Sequence, residues 1–598
     1  MTVLPYGSAM SARSAETETE TTSIVYSVDR WERDRSPGRS RRVGPLAGAI
    51  GVEAGWLDAW RTQLRADVQL LDAGDSETVL VDDDGCWIDD TLLCGRDAWL
   101  AILRDGRLGE LDGPFAVAWR SSTGDLTLAR DGIGERTLYY AEVGGGLLFA
   151  SSIRDLLASG RIDRALCLSA VANYLSCAYL PGRQTMVRGV FELLPGETLR
   201  WRQGRITRHR YWHLPPEVDE GLGPRQLRDE LRAVLHRAVA RRLPVGEPAG
   251  AFLSGGLDSS LVVALASTIV SSGDGPPLRT YSLSFGDGYA NELAFSSQVA
   301  AHCRTRHRIV ELPPETVLHC LDDVIGMLSD PIGDPLTVPN AVLFREAARD
   351  VGVVLNGEGG DPCFGGPKNL PMLLAELYDD DADSDEQLAL ARARSYLRAH
   401  LKCYDDLPRM LDREPRDALC ATPLEPGWAA SFADANRQSY VARLQAMNIV
   451  LKGAHHILPK VDALSRPFGV LPRSPLFDRR IVALSQRIPA HWKLHGSIEK
   501  YLLKEAVKDL LPPSIIHRPK SGMLVPVEAW FQAPMKKAAE ERLRDGLRGL
   551  IRDDYLQKLL DFSLGGVRPR HGAKIWLLLT LESWLRTVLG PTSLQALR

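Results

Sequence analysis

The sequence lacks several features that would place it in a particular class of protein. The formal net charge of its 598 residues is −4, so it has no overall basic field of the kind with which nucleic-acid-binding proteins neutralise phosphates. It contains no run of about 18 uninterrupted apolar residues, and its N-terminus has no charged segment followed by an apolar core. We therefore expect a cytoplasmic protein with neither nucleic acid nor membrane as a partner.

The cysteines also lack any organised spacing. There are nine of them, an odd number, and they are scattered without a C-x-x-C pair, so neither a zinc site nor a disulfide framework is predicted. We expect reduced, mostly buried thiols. The loop G-x-x-x-x-G-K-[ST] is absent as well, which disfavours γ-phosphoryl transfer by that loop.

The length and composition indicate a globular protein of more than one domain. One hydrophobic core stops growing at about 250–300 residues, and this chain is far longer. Hydrophobic residues make up 44% and charged residues 25%, which is ordinary for a globular chain. Residues 78–211 contain short β-rich runs separated by Gly and Asp, which indicates an antiparallel β-rich domain. The basic segment at residues 30–42 is predicted to be a mobile loop or a strand-flanking extension, and we favour a solvated connection.

A second domain is predicted after the Pro- and Gly-containing stretch HLPPEVDEGLGP at residues 213–224. Strand-like and helix-like runs then alternate, which indicates a parallel sheet covered on both faces. Beyond Leu370 the chain has few strand signals, so a helical C-terminal lobe is expected. We place the domains at residues 1–215 and 216–598.

One strand of the predicted parallel sheet is followed by SGGLDSS, residues 254–260. Ligands bind at the carboxyl ends of the strands in such sheets, where the N–H groups of the next helix carry partial positive charge. Gly255 and Gly256 would let a phosphate approach the backbone, and Asp258 could hold the Mg²⁺ that accompanies a nucleotide. Hydroxyl donors would come from Ser254, Ser259 and Ser260. The same string also fits a glycine-rich turn with a serine cap and no ligand.

A second acidic loop follows a second predicted strand in VVLNGEGGDPCFGG, residues 353–366. It places Glu358 and Asp361 within a glycine-rich turn. Since both loops come at strand ends, Asp258 and Asp361 could jointly hold a Mg²⁺–pyrophosphate group. The two loops together are a much stronger indication than either alone.

These loops resemble those of the asparagine synthetase family. The ATP-pyrophosphatase domain of that family carries an S-G-G-x-D-S loop and, about a hundred residues later, a G-E-G-S-D-E-x-F-G-G segment. The later stretches LPKVDALSRPFGVLPRSPLFDRRIV and EKYLLKEAVKDLLPPSIIHRPKSGMLVPVEAWF also match the family in order. The stretch LDGPFAVAWRSSTGDLTLARDGIGERTLYYAEVGGGLLFASS is similar to the glutamine amidotransferase half. The resemblance covers roughly residues 111–531.

The resemblance implies an α/β protein with two domains. The first would be an antiparallel β-rich α+β domain of the N-terminal-nucleophile (Ntn) type. The second would be a parallel-sheet ATP-pyrophosphatase (PP-loop) synthetase domain with a helical C-terminal lobe. ATP and Mg²⁺ are the implied cofactors.

The resemblance also implies roles for single residues. Lys520 in HRPKSGM matches a lysine near the end of the family's synthetase domain, which the family places over the α-phosphate and the developing oxyanion. Without this resemblance, Lys520 would be read as a solvated surface charge. Glu358 would accept a proton from the attacking ammonium, or position it. The positions that frame the adenosine in the family match Leu253, Phe285, Asn356 and Gly357, although Phe285 also fits a plain core residue.

The sequence departs from the family at its N-terminus. Members that use glutamine carry a nucleophilic Cys directly after the initiator Met, and its freed α-amino group serves as the base. This chain has Thr2, and its first cysteine is Cys86. We therefore predict a degenerate amidotransferase domain without glutaminase activity, so the amine must come from another source.

Family members with a disabled amidotransferase half include β-lactam synthetases and lasso peptide cyclases. β-Lactam synthetases place Tyr where this chain has Glu358, and GEGGDPCFGGPKN with RPKSGMLVPV is most similar to the cyclases. This similarity implies a macrolactam synthetase that adenylates an Asp or Glu side chain of a short core peptide. It would join that carboxyl to the N-terminal amine of the peptide as an isopeptide bond, releasing AMP and pyrophosphate.

The implied partners are a core or precursor peptide, a leader peptidase and a leader-recognition protein. Other functions stay open: an ammonia-dependent asparagine synthetase, a β-lactam synthetase-like enzyme, or an inactive ATP-binding module. A peptide substrate requires a roomy apolar cavity between the lobes, which we expect residues 454–478 to line. His455 and His456 lack companion metal ligands, so we expect helix surface or core there.

Overall fold

A computed structural model of the chain describes residues 21–33, 44–51, 54–71, 77–218, 221–273, 275–366, 384–434, 436–437, 439–518, 525–561 and 570–590. Within these ranges no helix is both long enough and apolar enough to cross a bilayer. All nine cysteines are free thiols and five are buried, which confirms the prediction from their spacing. The strands are, in chain order, β1 Thr21–Val25, β2 Leu46–Ile50, β3 Gln69–Leu71, β4 Thr78–Asp83, β5 Trp87–Ile88, β6 Thr91–Leu92, β7 Phe115–Arg120, β8 Leu126–Arg130, β9 Tyr139–Val143, β10 Gly146–Ala150, β11 Val190–Glu192, β12 Glu197–Arg202, β13 Arg205–Arg210, β14 Ala249–Phe252, β15 Arg279–Ser284, β16 Arg306–Glu311, β17 Val353–Leu355, β18 Leu471–Arg473, β19 Leu494–His495 and β20 Ile498–Glu499.

The first domain contains two five-stranded sheets stacked face to face. Their strand orders are β11-β9-β10-β2-β3 and β13-β12-β8-β7-β4, and all pairings but β2–β3 are antiparallel. Side chains from both sheets form one apolar cluster, to which Phe149 contributes from β10 and Leu128 from β8. This packing is typical of a β-sandwich and confirms the predicted antiparallel β-rich domain.

The second domain is built on a parallel sheet of order β1-β16-β15-β14-β17-β18. Along β17, Val354 belongs to one apolar cluster while Val353 and Leu355 belong to another, because successive side chains point to opposite faces. Both faces are therefore covered, as the alternation of strands and helices predicts.

Helices surround this sheet and form most of the chain after it. The α-helices are Val28–Arg33, Ala54–Gln63, Arg96–Arg104, Ile153–Leu157, Leu168–Cys177, Pro224–Ala240, Leu257–Ser271, Leu293–His302, Pro314–Ile325, Thr337–Ala347, Gly360–Phe364, Asp385–Ala399, Leu407–Met410, Arg413–Ala421, Glu425–Phe432, Tyr440–Met447, Leu458–Ser465, Arg479–Arg487, Ala490–Lys493, Tyr501–Val507, Pro513–Ile516, Val527–Trp530, Lys536–Gly546, Asp553–Leu560 and His571–Trp584. Short 3₁₀ turns lie at Leu108–Glu110, Tyr404–Asp406, Arg466–Phe468 and Pro475–Phe477, and π-helical segments at Asn448–Ile457 and Leu585–Leu589. The predicted helical C-terminal lobe is confirmed.

The N-terminal segment packs on the second domain rather than on the first. Strand β1 pairs in parallel with β16 at the edge of the sheet, and the following Trp31 is only 2% exposed. The guanidinium of Arg345 lies 4.2 Å from the centroid of the Trp31 ring, and the indole Nε1 donates to Asp323 at 3.0 Å. The prediction of a solvated connection is therefore wrong for Trp31, because its indole supplies apolar area that the charge pattern concealed. Glu32 is exposed, as predicted, and residues 34–43 lie outside the described ranges. The domain boundary at residue 215 stays a prediction.

A buried network of four charges joins the two domains. Arg136 of the first domain contacts Asp462 of the second at 2.9 Å, and Arg466 of the second contacts Asp82 of the first at 2.6 Å. Arg136 and Asp82 lie 3.4 Å apart, and Arg466 and Asp462 lie 2.6 Å apart. Each carboxylate thus meets two guanidinium groups, which offsets part of the cost of burying the four charges.

Candidate active site

The loop after β14 forms a compact turn into the helix Leu257–Ser271. Gly255 has φ of 79°, and a Cβ there would lie 2.6 Å from the backbone nitrogen of Ser296, so only glycine fits. The hydroxyls of Ser254 and Ser259 lie 3.0 Å apart, and the Gly256 N–H donates to the Ser254 hydroxyl at 3.2 Å. The loop therefore presents the N-terminus of a helix with hydroxyls beside it, which suits a phosphate.

The loop after β17 lies directly against the first loop. Strands β14 and β17 are neighbours, so their carboxyl ends meet at one edge of the sheet. A Cβ on Gly360 would lie only 2.2 Å from Cγ of Asp258, and one on Gly357 would lie 2.6 Å from the backbone nitrogen of Ser259. Because these positions are glycines, the second loop can lie directly against the first. The predicted position of the two acidic loops side by side is therefore confirmed.

We expect Gly360→Ala to impair the site without unfolding the protein. The added methyl would displace the Asp258 carboxylate, and a misplacement of about 1 Å can reduce a rate about 10²-fold. ATP-dependent release of pyrophosphate measures the effect. Gly427→Ala is the matched control, because it places the same methyl in a helix with nothing within 4 Å. Equal rates for both variants would contradict the close packing of the two loops.

Lys500, which no motif in the sequence singles out, connects the two acidic loops. The ammonium of Lys500 lies 2.5 Å from Oδ2 of Asp258 and 2.6 Å from Oδ1 of Asp361, and its side chain is 2% exposed. Burial lowers the pKa of Lys500, but the two carboxylates outweigh this and raise it above its ordinary value. Lys500 is therefore a permanent cation at the phosphate end of the site.

The carboxylates of Asp258 and Asp361 are also suitable ligands for Mg²⁺. Both reach one ammonium, so they lie close enough to share one cation. Mg²⁺ in nucleotide sites is held by one or two carboxylates together with phosphate oxygens and water, and these two side chains provide that donor set. When bound, the ion would neutralise charge on the phosphates.

A cavity of about 360 Å³ extends from the phosphate end past Glu358. Burial raises the pKa of Glu358; Lys460 opposes this shift and Asp334 adds to it. The backbone N–H of Glu358 donates to Oδ1 of Asn356, while Nδ2 of Asn356 is buried and meets no acceptor within the described structure. A buried donor without a hydrogen-bond acceptor at the cavity wall indicates a place for a ligand oxygen or nitrogen.

The far end of the cavity is walled by charged residues. Lys460 and Asp334 form a contact of 2.5 Å, and His456 lies 3.7 Å from the same carboxylate oxygen. Lys452 lines the cavity one turn before His456. The expectation that the stretch at 454–478 contributes to the cavity is met by His456, Ile457, Lys460 and Val461. His455 is buried, as expected of a core residue, and lies 2.8 Å from Glu192 of the first domain.

The other predicted site residues fall into three groups. Those that line the cavity are Leu253, Ser254, Gly256, Asp258, Ser259, Asn356, Gly357, Glu358 and Asp361. Gly255, Ser260 and Phe285 lie outside its lining. Ser260 is fully buried, and Phe285 packs edge-on against Trp530 at 5.3 Å. Lys520 lies outside the described residues.

Arg518, the last described residue before Lys520, lies beside the phosphate loop. Its Nη1 donates to the Gly255 carbonyl at 3.0 Å, and its guanidinium lies 3.9 Å from the centroid of the Phe295 ring. Arg518 also pairs with Glu292. Arg518 therefore lies next to the phosphate end of the cavity.

Comparisons with known proteins agree with this geometry. Residues 230–586 match the Asparagine synthase family model, and residues 104–212 match the Glutamine amidotransferase domain model. A putative asparagine synthetase [glutamine-hydrolyzing] of Mycobacterium tuberculosis is 28% identical over 513 residues, covering 80% of this chain and 77% of that protein.

Two further relatives cover similar shares of the chain. Asparagine synthetase [glutamine-hydrolyzing] 1 of Bacillus subtilis is 25% identical, covering 79% of this chain and 77% of its own. Amidase chry2 of Gibberella zeae is 23% identical, covering 73% of this chain and 72% of that protein. The family match spans more than half of the chain and includes both acidic loops. The chain thus belongs to the asparagine synthase family and is an ATP-dependent amide-forming enzyme of that type.

Proposed function

We propose that this enzyme is a lasso peptide cyclase. It activates the side-chain carboxylate of an Asp or Glu in a short core peptide and joins it to the N-terminal amine of the same peptide. The activated carboxyl and the amine then both come from the substrate, so the enzyme needs no ammonia from glutamine. The products are an isopeptide-bonded ring, AMP and pyrophosphate.

The start of β2 is the observation on which this proposal rests. In the amidotransferase halves that this domain resembles, a nucleophile with a free α-amine opens the first strand of the sandwich. Here β2 is LAGAI, Leu46–Ile50, preceded by Gly44 and Pro45, and none of these residues carries a nucleophilic side chain. A Cβ on Gly44 would lie 1.7 Å from the Asp67 carbonyl oxygen, so no side chain fits at that position. This supports an amine source other than glutamine.

The residues at the phosphate end suit the first half of the reaction. A carboxylate oxygen attacks the α-phosphorus of ATP, the bond from that phosphorus to the bridging oxygen breaks, and pyrophosphate leaves. Negative charge grows on the departing group, so the Lys500 ammonium and the N–H groups at the start of Leu257–Ser271 would stabilise it. Asp258 and Asp361 would hold Mg²⁺, and we assign Lys520 to the α-phosphate from its position in the sequence.

The second half of the reaction forms the amide. The amine nitrogen attacks the acyl carbon, the bond from that carbon to the adenylate oxygen breaks, and AMP leaves. The nitrogen must lose a proton, and Glu358 is the candidate acceptor because its raised pKa brings it closer to that of the proton donor. Glu358 lines the cavity between the phosphate end and the far wall, where the two substrate groups would meet.

Mass spectrometry of a candidate core peptide tests the proposal. With ATP and Mg²⁺ we expect the peptide to lose one water, with one AMP released per ring closed. The matched control is the same peptide with its acceptor Asp or Glu replaced by Asn or Gln, which should stay linear. Formation of asparagine from aspartate and ammonia, without closure of any peptide, would overturn the proposal.

That outcome would instead favour an ammonia-dependent asparagine synthetase. The names of the relatives from Mycobacterium tuberculosis and Bacillus subtilis make it the second candidate. Both names specify glutamine hydrolysis, whereas the start of β2 in this chain gives no support for that step.

A further inference from the structure

One edge of the first domain presents an exposed hairpin that is rich in arginine. Strands β12 and β13 form this hairpin, ETLRWRQGRITRHR at residues 197–210, and β13 is the outermost strand of its sheet. Four of the six residues of β13 are exposed. The hairpin contains a single carboxyl residue, Glu197, and five arginines: Arg200, Arg202, Arg205, Arg208 and Arg210. We call residues 197–210 the arginine hairpin.

The carboxylates near β12 neutralise only part of this charge. Arg200 lies 2.5 Å from Asp125, and Arg202 lies 3.6 Å from the same carboxylate, so two arginines share one acid. Glu197 is engaged by Arg183 at 2.7 Å, which lies outside the hairpin. No carboxylate of this group is therefore left for the arginines of β13.

The three arginines of β13 form no ion pair with any carboxylate in the described parts of the chain. Arg208 donates from Nε to the hydroxyl of Tyr140 at 3.0 Å, and its guanidinium lies 5.5 Å from the centroid of the Tyr140 ring. A phenol does not cancel a positive charge, and Arg205 and Arg210 have no such partner. The outer strand therefore carries a surplus of positive charge, which attracts acidic groups.

Tyr140 also connects the arginine hairpin to an exposed apolar side chain. The ring of Phe191 lies 5.8 Å from that of Tyr140, and Phe191 is 36% exposed. It belongs to β11, the outermost strand of the opposite sheet. Arg208, Tyr140 and Phe191 thus form a strip across this side of the sandwich. A partner that lies along the strip would bury apolar surface as well as form ion pairs.

The backbone of β13 offers a third means of contact. Among the described strands it pairs only with β12, so alternate N–H and C=O groups face away from the sheet. An extended peptide can add to such an edge as a further strand. Charged side chains on an edge strand usually prevent this, because two like strands repel each other. Since the charges of β13 are all positive, they repel a second copy of this strand but attract an acidic one.

We propose that β13 binds an acidic, extended segment of a partner protein, which adds to the sheet as a further strand. Carboxylates of that segment pair with Arg205, Arg208 and Arg210, and an apolar residue beside them covers Phe191. The inference does not depend on the proposed function, because none of these residues takes part in the adenylation or in the formation of the amide.

Fluorescence anisotropy with short labelled peptides tests this surface on the full-length protein. The probe alternates Glu and Val. One comparison peptide has Gln in place of Glu, and the other keeps Glu but has Pro in place of Val. We expect the probe to bind at least about tenfold more tightly than either, because Gln removes the charge and Pro removes N–H groups that pair with a strand. High salt should weaken its binding.

The double variant Arg205→Gln/Arg210→Gln should bind the probe about tenfold more weakly than wild type. Its midpoint of thermal unfolding should be unchanged, because neither arginine forms an ion pair within the described structure. Arg413→Gln/Arg552→Gln is the matched control, since it removes two exposed arginine charges from the second domain. It should bind the probe as wild type does.

Three results would overturn the proposal. If wild type binds none of the peptides, the arginines only keep the edge of the sheet unpaired. If the probe binds no better than the Gln or the Pro peptide, the partner is not an acidic strand. If a single-stranded oligonucleotide binds more tightly than the probe, and through Arg205 and Arg210, the surface serves a nucleic acid instead of a protein.

Discussion

Lys500→Met should abolish the release of pyrophosphate from ATP almost completely. The substitution removes the ammonium that lies within 2.7 Å of both oxygens of Asp258 and within 2.6 Å of Asp361. The two carboxylates would then repel each other and the triphosphate. Removal of one preorganised electrostatic group from an active site reduces kcat on the order of 10²–10³-fold, and we expect at least this loss. A coupled assay for pyrophosphate measures the rate.

The control for this experiment is Lys508→Met. Lys500 directly precedes the helix Tyr501–Val507, and Lys508 directly follows it. The Lys508 side chain is 57% exposed, and among the described residues it forms an ion pair only with Glu505. It should retain the rate of wild type. Lys500→Arg should restore part of the lost rate, because it keeps the charge, although a guanidinium fits less well in a space built around an ammonium. A Lys500→Met enzyme as fast as wild type would exclude Lys500 from the reaction.

Asp462→Ala should destabilise the contact between the two domains. The change leaves Arg136 and Arg466 buried with one shared carboxylate, that of Asp82, instead of two. Breaking a buried ion pair by removing one partner costs about 3–5 kcal/mol, because the remaining charge is not compensated. We expect a lower midpoint of thermal unfolding by calorimetry and faster proteolysis of the chain between the domains.

Asp163→Ala provides the same chemical change at the surface. Asp163 pairs with Arg188 at 3.1 Å, but both side chains are more than two-thirds exposed, so the pair is screened by solvent. Its unfolding midpoint should match wild type. If Asp462→Ala also left the unfolding midpoint unchanged, the buried network would not be what joins the domains.

Much of the fold follows from local patterns in the sequence. The runs that became β14 and β17, AGAF and VVL, are apolar, and helix-like runs separate the four strands from β14 to β17, so their type and order could be predicted. The two acidic loops could be placed together because each directly follows a strand of the same parallel sheet. These are short-range signals, and the structure confirms them.

The features that were missed depend on contacts between distant parts of the chain. Lys500 lies about 240 positions after Asp258 and precedes a helix as an ordinary surface lysine would, so only the folded structure reveals its two partners. Strand β1 has no partner near it in sequence and pairs with β16 almost 300 residues later. The spacing of Lys452, His456 and Lys460 was visible, but periodicity alone does not tell which face of a helix meets a cavity.

The first domain has a structural role in the second. It contributes Arg136 and Asp82 to the buried network, and its Tyr179 stacks on His456. These contacts give a physical reason for the enzyme to keep the domain. It holds the wall of the cavity in which the substrate is activated.

Activation of a carboxylate at the α-phosphate of ATP is tested most directly by isotope transfer. A core peptide labelled with ¹⁸O in its acceptor carboxylate is incubated with the enzyme, ATP and Mg²⁺, and the nucleotide product is analysed by mass spectrometry. One labelled oxygen should appear in AMP for each ring closed, because the carboxylate oxygen that attacks phosphorus leaves with the nucleotide. Ring closure that yields unlabelled AMP, or ADP in its place, would contradict an acyl-adenylate route.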